Sequence, residues 1–190
     1  MIENLTSFLR GNVLKKTTTK DSCWKPPEEN YLKINIDGAF TKDTKKGGWG
    51  FIVRNSKGGV EAAGAGRLSR LSEAIQAETI AMLYAAERAS ELGCRNVIFE
   101  TDELVLKQAI DRHAYDNSVF GALFREAKFK LLYYFQSAFI NWCPRSCNVA
   151  AHKLASFGAS LVEPDICMWL SDVPNFVTEA VASDFVGPYM

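Results

Sequence analysis

Three acids in this chain are spaced so that secondary structure can bring them together: Asp37, Glu78 and Asp102. Asp37 ends an apolar alternating stretch and is followed by Gly38, where another backbone can approach closely. Asp102 follows a β-branched and aromatic run, and Glu78 lies in a segment with alanines at helical spacing. Carboxylates held side by side repel one another and need a compensating charge. Mg²⁺ suits them, being hard and oxygen-seeking and keeping waters and substrate phosphate as its remaining ligands. Two such ions about 4 Å apart would activate a water and stabilise the leaving oxygen of a phosphodiester. Taken singly, each acid reads as a solvated surface carboxylate. The chemistry therefore depends on the elements that carry them.

From Leu32 to Phe40, apolar Leu32, Ile34 and Ile36 alternate with Lys33, Asn35 and Asp37, the period of a strand. Gly47 to Gly50 open a second strand through Arg54. The turn composition of 55–59 leads to a third over Val60 to Gly66. Ser72 is the predicted N-cap of a helix with Glu73 in its first turn. Ala74, Ala77, Ala81, Ala85 and Ala89 mark its close-packing face, and Gly93 its stop. Asn96 to Thr101 is a fourth strand, 103–112 and 117–132 two helices, and Tyr133 to Trp142 a region holding a fifth strand. Residues 147–160 form a last helix, ended near Gly158. The order implies a mixed five-stranded α/β sheet flanked by helices, with the first three strands antiparallel. Its first and fourth strands are parallel neighbours joined right-handedly. Asp37 and Asp102 then meet at the carboxyl edge, where open α/β sheets place ligands, with carboxylates about 4–7 Å apart.

The 190 residues divide into a leader and linker (1–23), one domain (24–162) and a tail (163–190) with room for a short helix. Net charge is zero, so nucleic-acid affinity must come from a local patch. No apolar run approaches the ~20 residues of a membrane span. No secretory signal is present, and the five cysteines lack paired spacing. The expectation is an intracellular protein, of nucleus or cytoplasm, with reduced thiols. Cys143, Cys147 and His152 lie close together, but without a second ligand pair they do not have the spacing of a zinc finger or ribbon.

The stretch Leu32-Lys33-Ile34-Asn35-Ile36-Asp37-Gly38-Ala39-Phe40, followed by Gly47-Gly48-Trp49-Gly50, resembles plant ribonuclease H-like domains. These are the "reverse transcriptase-like" domains related to retroelement enzymes. Ala77-Glu78, Glu100-Thr101-Asp102, Pro144-Arg145, Asn148 and His152-Lys153-Leu154-Ala155 continue the match in order. Trp169, Pro174 and Asp184 resemble the segment C-terminal to such domains. The resemblance implies a metal-dependent endonuclease that cuts the RNA strand of RNA–DNA hybrids with four acids and two Mg²⁺ ions. Asp37 would bridge both ions, Glu78 would hold one with its water, and Asp102 would complete the set.

The fourth acid's position is His152 here, and imidazole favours Mn²⁺ over Mg²⁺. His152 reads either as that ligand or as an unliganded, hydrogen-bonded histidine at the sheet edge. Arg145 stands where bacterial relatives carry a mobile histidine, and Ala74-Ile75 replace an asparagine pair. Gly38, Ala39, Gln76, Arg145 and Asn148 are the implied nucleic-acid contacts. Lys42, Lys45 and Lys46 either grip phosphates, as shape-based duplex recognition allows, or form a solvated hairpin tip. Trp49 and Trp142 are expected in the core. The alternative function is a catalytically weakened, retroelement-derived domain that binds nucleic acid or a protein partner.

Overall fold

The computed structural model describes residues 23–162, 166–170 and 172–185. Of the leader and linker read over residues 1–23, residues 1–22 lie outside them. Strands Leu32–Thr41 (β1), Lys46–Arg54 (β2) and Val60–Leu68 (β3) pair antiparallel in chain order. Helix Ala74–Glu91 (α1) leads to strand Asn96–Thr101 (β4), which returns beside β1 in parallel, Leu32 opposite Val97 and Asn35 opposite Glu100. Helices Leu104–Asp111 (α2) and Gly121–Tyr134 (α3) precede strand Ser137–Trp142 (β5), parallel to β4. One 3₁₀ turn, Arg145–Cys147, opens into helix Val149–Ser160 (α4). None of the helices among the described residues is long and apolar enough to cross a membrane.

The sheet has six strands rather than the expected five, ordered β5-β4-β1-β2-β3-β6. The sixth, Ile166–Leu170 (β6), pairs antiparallel with β3 and satisfies backbone groups that β3 would otherwise leave at an edge. Its run Ile-Cys-Met-Trp-Leu lacks polar alternation, so period two does not announce it. Helix Asn175–Phe185 (α5) comes next, within the segment where a short helix was expected.

Each face of the sheet has its own apolar cluster. Ile34, Ile36, Trp49, Phe51, Val53 and Phe99 pack with α1, α2 and α3 on one face. Ile52, Ala63 and Ala65 pack with Ala150 and Leu154 of α4 and Val177 and Ala180 of α5 on the other. Trp49 is fully buried as expected, stacked on Phe51 at 5.9 Å and on Tyr84 at 4.2 Å. Burying a side chain as large as Phe contributes about 1.5–3 kcal/mol.

Several helix limits differ from expectation, α3 running Gly121–Tyr134 rather than 117–132. Glu73, not Ser72, occupies the N-cap of α1. Ser72 instead donates its N–H and Oγ–H to Gln76 Oε1 at 3.0 and 3.1 Å. Gly158 does not stop α4 but lies inside it, against the sheet. A Cβ there would sit 2.5 Å from Gly66 O, and one on Gly50 would sit 2.3 Å from Ala155 N. These glycines let α4 lie directly on β2 and β3.

Arg54 ends β2 with no exposed surface, and so does Asp184 in α5. Arg54 Nη1 donates to Asp184 Oδ2 at 2.8 Å and Nη2 to Asn35 Oδ1 at 2.7 Å, while its guanidinium lies 3.6 Å from the Trp24 ring centroid. Burial lowers the Arg54 pKa and raises that of Asp184 against the attraction between them. Desolvation thus outweighs the pair's own attraction, and the pair is costly to break rather than a large net stabiliser. Asp184→Ala leaves Arg54 buried without its carboxylate. The expected loss is about 3–5 kcal/mol, read from chemical denaturation. A loss under about 1 kcal/mol would show that the pair does not join α5 to the sheet.

Candidate metal centre

Residues 33, 35 and 37 of β1 point away from the α1 face, toward α4. Asp37 is the last of that row and is 3% exposed. Register continued past Asn35–Glu100 sets Asp102, one residue beyond β4, beside Asp37. Asn148, fully buried at the start of α4, donates its amide to Asp102 Oδ1 at 3.2 Å and to Ile36 O at 2.9 Å. Its own Oδ1 accepts from Asn35 at 3.2 Å. The Asp102 carboxylate is therefore held by a side chain that is itself held at both ends.

Glu78 reaches the same point from α1 because Gly38 has no side chain. A Cβ on Gly38 would lie 2.4 Å from Glu78 N and 2.8 Å from Ala77 Cβ. One donor oxygen each from Asp37, Glu78 and Asp102 all lie within 4.8 Å of one another. Among the described residues this is the only such cluster of acids, histidines or cysteines. They line a cleft of about 470 Å³ with Gly38, Ala39, Phe40, Ala74, Glu103, Arg145 and His152.

The electrostatics of the cleft are unfavourable without a cation. Burial raises the Glu78 pKa well above its ordinary value, the charges of Asp37 and Asp102 add to the rise, and the Gly38 N–H opposes it. Burial likewise raises Asp37, with Asp102 adding to it and the His152 hydrogen bond opposing. Glu78 is 7% exposed, and its Oε2 has no hydrogen-bond partner. A buried acceptor left unpaired costs about 1–3 kcal/mol. Hard oxygens clustered in an open cleft, one of them orphaned, fit a divalent cation of the Mg²⁺ type.

Other residues singled out from the sequence take varied places. His152, one turn into α4, sets Nδ1 3.0 Å from Asp37 Oδ2. Arg145, 65% exposed at its side chain, sets Nη1 3.5 Å from Asp102 Oδ2 and Nη2 3.0 Å from both ring nitrogens of His152. Gly38 and Ala39 line the cleft, whereas Asn148 is buried behind it and Gln76 Oε1 serves Ser72. Lys42, Lys45 and Lys46 are exposed at the β1–β2 tip, outside the cleft lining. Trp142 is not core: it is 49% exposed and donates Nε1–H to Asp102 O at 3.0 Å. Asn35 and Glu103 were not singled out. Glu103 lines the cleft and accepts from Val105 N at 2.9 Å, capping α2, and its place next to Asp102 was the available signal.

The fold recurs in solved structures. RNase H1 from Halobacterium salinarum aligns with 24% identity and TM-score 0.60, over 67% of this chain and 96% of that one. The N-terminal RNase H domain of a Mycobacterium tuberculosis protein aligns with 22% identity and TM-score 0.62, over 68% and 93%. LC11-RNase H1, isolated from compost and solved with an RNA/DNA hybrid, aligns with 17% identity and TM-score 0.61, over 67% and 96%. No curated protein sequence matches the chain. These likenesses establish an α/β ribonuclease H-like fold. A family model described as reverse transcriptase-like matches residues 35–158, from the polar row of β1 through α4, and the chain belongs to that family.

Proposed function

We propose that this protein is a divalent-metal-dependent nuclease that cuts the RNA strand of RNA–DNA hybrids, with Asp37, Glu78 and Asp102 as its metal-holding residues. The observation that carries the reading is the convergence of three carboxylates within 4.8 Å around the orphaned, buried Glu78 Oε2. The fold it shares with RNase H1 proteins, one of them solved with an RNA/DNA hybrid, supports the substrate class. A bound Mg²⁺ or Mn²⁺ would supply a water nucleophile at neutral pH and neutralise charge developing on the phosphate. Asp37 and Asp102 orient their carboxylates from adjacent parallel strands, and Glu78 closes the set from α1. Asn148 keeps Asp102 in place from behind. The Gly38 and Ala39 backbone walls the cleft where a scissile strand would lie. Lys42, Lys45 and Lys46, roughly 15 Å further along β1 and its turn, offer charge to a duplex backbone.

His152 favours a second reading. It meets Asp37 where the family carries a fourth acid, and with Arg145 it engages two of the three carboxylates. A retroelement-derived domain with weakened catalysis, kept for binding nucleic acid or a protein, would present the same contacts. The assay that decides is cleavage of a labelled RNA–DNA hybrid with Mg²⁺ or Mn²⁺. Wild type is expected to cut the RNA strand, and Asp37→Asn to lose at least about 10²-fold, as when one transition-state contact is removed. Hybrid binding without cleavage in either metal would establish the second reading.

The raised pKa values of Asp37 and Glu78 also fix a pH dependence. Between their ordinary values of 3.8 and 4.5 and the raised ones, the folded chain holds protons that the unfolded chain has released. Stability contributed by these groups therefore falls as pH rises through that window. Metal-free Glu78→Gln is expected to be more stable than wild type at pH 7, by about 0.5–2 kcal/mol. The advantage should shrink toward pH 4 and on adding Mg²⁺, which stabilises only the intact site. Equal melting temperatures for the two proteins at pH 7 would mean that Glu78 is not held under repulsion.

A further inference from the structure

We infer that Arg145, acting directly on Asp102 and through His152 on Asp37, stands in for a second cation, so that the acidic cleft binds one divalent ion rather than two. This rests on the metal-dependent reading above. Among the residues lining the cleft, Arg145 is the one permanent cation, facing Asp37, Glu78, Asp102 and Glu103. Its Nη1 lies 3.5 Å from Asp102 Oδ2 and its Nη2 3.0 Å from both ring nitrogens of His152, while His152 Nδ1 lies 3.0 Å from Asp37 Oδ2. The guanidinium thus lies against the imidazole ring, which in turn meets Asp37 through Nδ1. The arginine charge is therefore set beside Asp102 directly and beside Asp37 across one ring.

The engagement of the carboxylate oxygens points the same way. Asp37 Oδ2 is engaged by His152, Asp102 Oδ2 by Arg145 and Asp102 Oδ1 by Asn148. Glu78 Oε2, on the α1 side of the cluster, is the buried oxygen left without a partner. On the α4 side, by contrast, the aspartates are met by N–H groups. Inward-pointing donors repel a metal ion and offer it no lone pair, since guanidinium has none. One ion can sit toward Glu78, while a second would have to displace both His152 and Arg145. With its side chain 65% exposed, Arg145 can also turn its planar fork to a substrate phosphate, the charge-neutralising task a second ion would perform.

The test counts ions on the full-length protein with Mn²⁺ alone as the probe. Calorimetric titration is expected to give one Mn²⁺ per wild-type chain, with the electron paramagnetic resonance spectrum of an isolated ion. The double variant Arg145→Ala/His152→Asp restores an acid and removes the cation. It should bind two, with the spectrum of a coupled pair. Arg145→Ala alone removes an exposed side chain that the fold does not need. It should tighten the single site about tenfold at low salt, less as salt is raised. Two ions on wild type, one on the double variant, or unchanged affinity in Arg145→Ala would each overturn the inference while leaving a metal site intact. No ion on wild type would overturn the metal-dependent reading itself, and this inference with it.

Discussion

A strand buried on both faces has to satisfy whatever its second face carries, and on β1 that face carries Lys33, Asn35 and Asp37. Leaving one such group unpaired in the interior costs about 1–3 kcal/mol, more for a charge. Each member of the row is met in turn. Lys33 Nζ pairs with Glu100 Oε1 at 2.8 Å, and Asn35 lies between Arg54, Glu100 and Asn148. Asp37, at the open end, meets His152. This requirement positions much of what surrounds it. Helix α4 must bring Asn148 and His152 over the row, and α5 must bring Asp184 to balance Arg54. The glycines of β2 let α4 come close enough to do so. The candidate centre is the end of a buried polar seam whose interior is already neutralised.

That continuity makes the cleft rigid on one side and accessible on the other. Asp102 is fixed through Asn148, which touches β1 by way of Ile36 O, and Glu78 is fixed by the contact of α1 with Gly38. Neither carboxylate has to be ordered when a ligand arrives, which is what preorganised electrostatic sites require. Arg145 and Trp142 sit at the exposed rim. The ordering cost on that side falls on an arginine side chain rather than on the backbone of the site.

Much of this was legible in the sequence, for physical reasons that can be named. Period two in 32–37 marked β1 and placed Asp37 on the face opposite Ile34 and Ile36. The alanine spacing of 74–89 marked a helix able to lie close on a sheet, and the apolar run before Asp102 marked β4. Local pattern failed where long-range contact decides. The pairing of β6 with β3 joins residues about a hundred positions apart, and an apolar pentapeptide after a proline carries no trace of it. Gly158 has the composition of a helix stop, yet serves close packing against Gly66. Trp142 has the composition of core and shares the face of buried Ala138 and Ile140, but it ends an edge strand, where it is half exposed. Arg54 shows no sequence sign of burial, because its partner lies 130 residues away in α5.

The strongest argument that this cleft has a chemical purpose is its cost. Fold likeness at 17–24% identity establishes the scaffold, and a scaffold of this kind can host many functions or none. A domain kept only for its surface contacts would have no use for Glu78, 7% exposed, orphaned at Oε2 and pushed toward protonation beside two other acids. A glutamine or an apolar residue would fit α1 at that position without the repulsion. Local conflict between stability and placement is the physical mark of a functional site, where the surrounding structure holds a group it would otherwise reject. Here the holding is done by a glycine that admits α1, an asparagine that reaches behind β4, and parallel strands in register. The structure brings the three carboxylates together at the open end of the seam, around the unpartnered Glu78 Oε2.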